Sequence, residues 1–148
     1  MKLRKVISGG QTGADQAGLV CGMAMGLETG GWMPPGWATE TGPAPTVAEL
    51  FGLKEHPKAG YVGRTYQNVL DSDATVWVGT LHSPGFYCTK RACMDFRKPF
   101  IVNPSSLKDV ARDYEVVNIA GNRASKNPGV VAQVEALFAS LVYDEGLR

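Results

Sequence analysis

The chain has 148 residues, of which 44% are hydrophobic and 20% charged, and its formal net charge is +1. Such a length suits one domain with its own apolar core, and the composition carries neither a disorder signature nor a fibrous period. Near neutrality excludes a global basic field for nucleic acid and an acidic one for a cationic partner, so any charge selectivity has to be local.

The amino terminus, MKLRKVISGG, follows its basic residues with only a short apolar stretch. That is too little for a signal-peptide core or a membrane span, so a cytoplasmic protein with no membrane partner is expected. Leu3 to Ser8 reads as a first strand, buried on both faces. Gly13 to Met25 reads as a helix with a mostly apolar surface, stopped at Gly26. Glu28 to Trp32 reads as a second short strand. Met33 to Val62 is then a Pro- and Gly-rich excursion with one helical patch at Val47 to Leu53; connections this long are often functional lids or rims.

Regularity returns with a helix at Arg64 to Asp71, a strand at Ala74 to Gly79, a helix at Thr89 to Phe96 and a strand at Pro99 to Asn103. A short helix at Ser105 to Arg112, a strand at Tyr114 to Gly121 and a closing helix at Pro128 to Val142 complete the chain. Strands alternating with helices predict a single α/β domain over residues 1–148, Rossmann-like, with an open parallel sheet and helices on both faces. Ligands bind such sheets beyond the carboxyl ends of the strands, where the strand order reverses.

The stretch ISGGQTGADQAGL, Ile7 to Leu19, puts glycines between a strand and a helix. Backbone N–H groups at a positive helix end suit a phosphate, and glycines let it approach closely. A tight turn with Thr12 capping the helix and Asp15 near its positive end is the alternative. No lysine follows Gly13 as in a P-loop, the glycines do not fit G-x-G-x-x-G, and no G-x-S-x-G elbow marks Ser8 as a nucleophile. Three further stretches sit where they would meet the same crevice. Arg64 and Asn68, four apart, share a helix face. GTLHSPGFYCTKRA carries Thr80, Ser83, Gly85, Thr89 and Lys90, and VNIAGNRASKNPG repeats the strand, glycine and helix logic with Arg123 and Lys126. Each alone reads equally well as a surface turn; their convergence points to a ligand site. Cys21, Cys88 and Cys93 lack CxxC spacing and read as small buried hydrophobes, and His56 and His82 belong to no ligand motif, so no protein-held metal is expected.

Taken together, SGGQTGADQAGL, TGGWMPPG, ETGP, RTYQNVLDSDAT and VNIAGNRASKNPG resemble the molybdenum cofactor carrier proteins, a branch of the Rossmann-like SLOG superfamily, from about Val6 to the final helix. The resemblance implies non-catalytic binding of a phosphorylated pterin or nucleotide-like molecule, with molybdenum cofactor as the guest, its metal already held by the pterin dithiolene. It also implies a homo-oligomer, a dimer or tetramer. In that reading Ser8, Gly9, Gly10, Gln11, Thr12 and Gly13 cradle phosphate together with Gly121, Asn122 and Arg123. Arg64 and Asn68 close the far side, and Thr80, Thr89 and Lys90 add contacts, while Trp32 and Trp37 are candidates to stack on a flat ring.

The same superfamily holds the LOG phosphoribohydrolases, which cleave base from a nucleoside monophosphate, and a nucleotide-derived signal sensor is a further alternative. Arg64 stands nine residues before Asp73, as the corresponding arginine does in LOG proteins. Their PGGxGTxxE loop is not kept: Thr89 matches its threonine, but Ala92 stands where its catalytic glutamate would be. Without that carboxylate the chemistry lacks its obvious agent.

Overall fold

The run ATVWV has no polar face, and all five of its residues are buried, as expected for an interior strand of a parallel sheet covered on both sides. The computed structural model describes residues 1–146, with side chains through Val142. In chain order the elements are β1 (Lys5–Ile7), α1 (Ala14–Ala24), β2 (Glu28–Gly30), β3 (Trp32–Met33), α2 (Pro45–Phe51), β4 (Lys54–Glu55), α3 (Val62–Asp71), β5 (Ala74–Val78), α4 (Pro84–Phe96), β6 (Phe100–Val102), α5 (Lys108–Asp113), β7 (Val116–Gly121) and α6 (Val130–Gly146). The main sheet has the order β2-β1-β7-β5-β6, and every pairing in it is parallel. The fold is Rossmann-like α/β.

Alternation along the strands separates two layers. Val6, Val76, Val78, Val117 and Ile119 face a core filled by α1, α5 and α6, including Ala17, Val110, Val134 and Phe138. On the other face, Trp77 meets Phe86 of α4 edge to face, and Asn118 donates to Thr75 Oγ1 at 3.2 Å, satisfying two buried polar groups. Val69 of α3 and Ala92 and Cys93 of α4 pack together on that side. After β1 the chain steps outward to β2, then returns to the opposite side of β1 with β5. This reversal opens a crevice at the carboxyl ends of β1, β7 and β5.

Two elements depart most from expectation, each for a local reason. Glu28 to Trp32 is not one strand: Gly31, at φ 128°, turns the chain, and β3 pairs with β4 in a separate parallel two-stranded sheet. The excursion therefore carries a small sheet of its own, too short to leave a periodic signal. Its apolar residues Met33, Ala48, Phe51 and Leu53 cluster with Leu19 of α1. The fourth helix begins at Pro84 rather than at Thr89, because Ser83 caps it by accepting from Phe86 N–H at 3.1 Å and Pro84 suits the first turn.

Candidate functional site

Beyond the carboxyl ends of β1, β7 and β5 lies a cavity of about 650 Å³. The loop after β1 contributes Gln11, the first turn of α1 contributes Asp15, and the start of α3 contributes Tyr61, Val62, Arg64 and Thr65. The end of β5 supplies Trp77 and Thr80, the start of α4 supplies Ser83, Pro84, Gly85, Cys88 and Thr89, and the turn after β7 supplies Gly121, Asn122, Arg123 and Lys126.

Asp15 and Arg64 meet at the cleft wall. The Asp15 carboxylate accepts from the N–H of Gln11 at 3.2 Å and from that of Gly9, and lies 3.9 Å from Nη2 of Arg64. Burial pushes its carboxyl up to about 6, against the opposing pull of Arg64 and the two amides. Arg64 Nη1 donates to Thr65 Oγ1 at 2.8 Å, and its guanidinium stands 5.3 Å from the centre of the Tyr61 ring. Arg64 Nε is buried and has no hydrogen-bond partner within the protein. A buried N–H left unpaired is costly, which makes it the place where an acceptor from outside the chain would add most.

The glycine loop is internally engaged. Gly10 N–H donates to Ser8 Oγ at 3.3 Å, Thr12 N–H to Gln11 Oε1 at 3.1 Å and Ala14 N–H to the Asn122 carbonyl at 3.1 Å. Ser8 is fully buried, its hydroxyl donating to the Asp15 carbonyl at 2.9 Å. The helix end that predicted a phosphate cradle thus holds the chain's own Asp15 carboxylate. Of SGGQTG only Gln11 lines the cleft; Ser8, Gly9, Gly10, Thr12 and Gly13 stand behind it.

The first and last turns nevertheless meet. A Cβ on Gly13, at φ 85°, would fall 2.7 Å from the Ala124 nitrogen, so only glycine lets the two turns touch. Glu40, from the excursion, crosses this joint. Its carboxylate accepts from the hydroxyls of Thr12 and Ser125 and from Ser125 N–H at 3.1 Å, and its own N–H donates to Gln11 Oε1 at 2.9 Å. The Ser125 hydroxyl first, then that of Thr12, holds the Glu40 carboxyl below its ordinary range, with Arg123 adding to the effect.

Among the other expected residues, Arg64, Thr80, Thr89, Gly121, Asn122 and Arg123 line the cleft. Asn122 does so as a fastener: its Oδ1 accepts from Thr80 N–H at 2.6 Å, from Thr80 Oγ1 at 3.2 Å and from Asn127 Nδ2 at 3.2 Å. Thr89 donates back to the Gly85 carbonyl at 2.9 Å. Asn68 turns away from the cleft. It brackets the backbone of Trp32, accepting from its N–H at 2.9 Å and donating to its carbonyl at 3.1 Å. Lys90 is exposed on another side of α4, in a shallow groove with Tyr66 and Met94. Neither Trp32 nor Trp37 lines the cleft: Trp32 donates to Asp71 at 2.8 Å, and Trp37 packs on the Met33 cluster. The aromatic at the rim is Tyr61, one helical turn before Arg64, and that spacing was the available signal. Cys88 lines the cleft as well, its thiol raised by burial. Among the described residues no cluster of His, Cys, Asp and Glu could hold a metal ion, and no helix is long and apolar enough to cross a membrane.

Arg64, Arg123 and Lys126 thus line a cleft at the point where the parallel sheet of a Rossmann-like fold reverses its strand order. The chain belongs to the circularly permutated YpsA SLOG family, whose model matches residues 6–142. It is also similar to a solved structure from Syntrophus aciditrophicus named "Putative molybdenum carrier protein", with 34% identity, coverage of 94% of each chain and a TM-score of 0.80. No curated protein matches the sequence.

Proposed function

We propose that this protein binds and carries, without transforming it, a phosphorylated small molecule with a planar ring, and that the guest is molybdenum cofactor. The observation that carries the reading is the convergence of Arg64, Arg123 and Lys126 on one cleft where, among the described residues, the one lining carboxylate, Asp15, is already paired with Arg64. An anion is the complement of such a cleft, and the unpaired Arg64 Nε offers it a buried donor. These residues fit a pterin phosphate as cargo: cations for the phosphate, the Tyr61 ring at the rim for the flat heterocycle, and no protein ligand needed for a metal that the pterin holds. The similar protein named as a molybdenum carrier supports the choice of guest. Ala92, in the place of the LOG glutamate, is buried between α3 and α4, which supports carriage over hydrolysis.

Native mass spectrometry of protein taken gently from its own host tests the reading, since bound pterin and subunit count appear together; more than one copy per assembly is expected. A saturating ligand at a hundredfold excess over Kd adds about 2.7 kcal/mol of stability, and Arg64→Ala should abolish that gain. One observation favours a second reading, cleavage of a nucleoside monophosphate: Asp15 brings a carboxyl of raised pKa to the cleft wall beside Arg64. Release of free base from nucleoside monophosphates would establish hydrolysis and overturn simple carriage.

A further inference from the structure

Glu40 sits where the sequence logic puts a ligand's anion. The turns after β1 and β7 aim the Thr12 hydroxyl and the Ser125 hydroxyl and N–H at one point beside Arg123, and the group they hold is a carboxylate from the excursion. A hydroxyl pair, an amide and a nearby guanidinium make a seat for any small oxyanion. The same donors that bind a carboxylate bind a phosphate, which carries more charge and more acceptor oxygens.

We propose that this joint is an anion subsite adjoining the cleft whose resting occupant is Glu40, and that a phosphate-bearing ligand takes the seat and releases the turn that carries Glu40. The inference rests on the reading of the cleft as a phosphate-ligand site. Gln11 and Arg123 line the cleft on one side and hold or attract Glu40 on the other, so a ligand reaching Arg123 competes with Glu40 for it. The released segment is a compact turn: Thr39 N–H donates to the Gly42 carbonyl at 3.1 Å, and Gly42 N–H to the Thr39 carbonyl at 3.1 Å. Its ties to the joint run through Glu40, whose N–H bonds Gln11 and whose carboxylate bonds Thr12 and Ser125.

The test uses inorganic phosphate and adenosine 5′-monophosphate as probes on the full chain. Glu40→Gln keeps hydrogen-bonding groups at the seat and removes the competing charge, so it should tighten both probes by roughly tenfold. In the wild-type protein, phosphate should speed hydrogen exchange in residues 38–44, a readout that needs no variant. If Glu40→Gln leaves affinity unchanged or weaker, and exchange in that segment slows or stays constant, while Arg64→Ala still weakens binding, Glu40 is a structural strap and the proposal is overturned with the cleft reading intact. If no form of the protein binds either probe, the cleft reading and this proposal fall together.

Discussion

The guanidinium of Arg64 occupies the space that a side chain on Gly9 would need: a Cβ there would stand 2.6 Å from its Cζ and Nη1. Gly9 is not held at a positive φ, so a methyl group is not strained by the backbone and meets Arg64 first. Gly9→Ala is expected to keep the fold at a cost of about 1–3 kcal/mol while displacing the guanidinium. Its Kd for a nucleoside monophosphate should rise by about tenfold, measured by calorimetry. An unchanged Kd would mean that Arg64 does not bind from this seat.

Asp15 carries the pH dependence. Its folded value of about 6 exceeds its ordinary value of 3.8, so folding favours the protonated carboxyl. That contribution is complete below the unfolded value and is lost as pH rises through the folded one. Asp15→Asn removes the titration, so wild-type stability relative to the variant should decline by up to about 3 kcal/mol between about pH 4 and about pH 7. Urea unfolding of both proteins across that range reads it. A flat difference would show that Asp15 titrates as an exposed carboxylate does.

Asn68 separates support from binding. Because its amide brackets the Trp32 backbone on both sides, Asn68→Leu should cost about 1–3 kcal/mol of stability and leave the ligand Kd within about twofold. The opposite pattern, weakened binding at unchanged stability, would restore Asn68 to the ligand set.

At Gly79 the constraint is double. Its φ is 129°, and a Cβ would collide with Asn122 Oδ1, the acceptor that ties Thr80 and Asn127 together. Gly79→Ala should cost about 3 kcal/mol or more by chemical denaturation. A loss below about 0.5 kcal/mol would mean that the Asn122 fastening gives way freely.

The architecture was legible because parallel βα units write themselves twice, as short mostly apolar strands and as helical periodicity between them. Strands such as Ala74–Val78 and the closing helix declare themselves on both counts. The convergence of loops was legible for a related reason: parallel strands put every carboxyl end at one side of the sheet. What could not be read was the direction of single side chains. Asn68 shares a helix with Arg64, yet one reaches the Trp32 backbone and the other the cleft, a difference of helix phase set by tertiary packing. Asp15 near the positive helix end was one of the two readings the loop offered, but Thr12 does not cap that helix: no side chain caps it, and the Thr12 hydroxyl bonds Glu40 instead. Glu40 was hidden, because nothing in spacing says that a carboxylate from the excursion will reach the joint of the two turns.

Strand β2 ends the main sheet, and the excursion lies along it: Thr29 Oγ1 donates to the Phe51 carbonyl at 2.9 Å, and Lys54 N–H to the Gly31 carbonyl just past the strand at 2.9 Å. An uncovered terminal strand is a template for pairing with other chains. Trimming residues 34–53 to widen access to the crevice would therefore strip the sheet of its border guard, and the expected product is aggregate instead of a more open receptor.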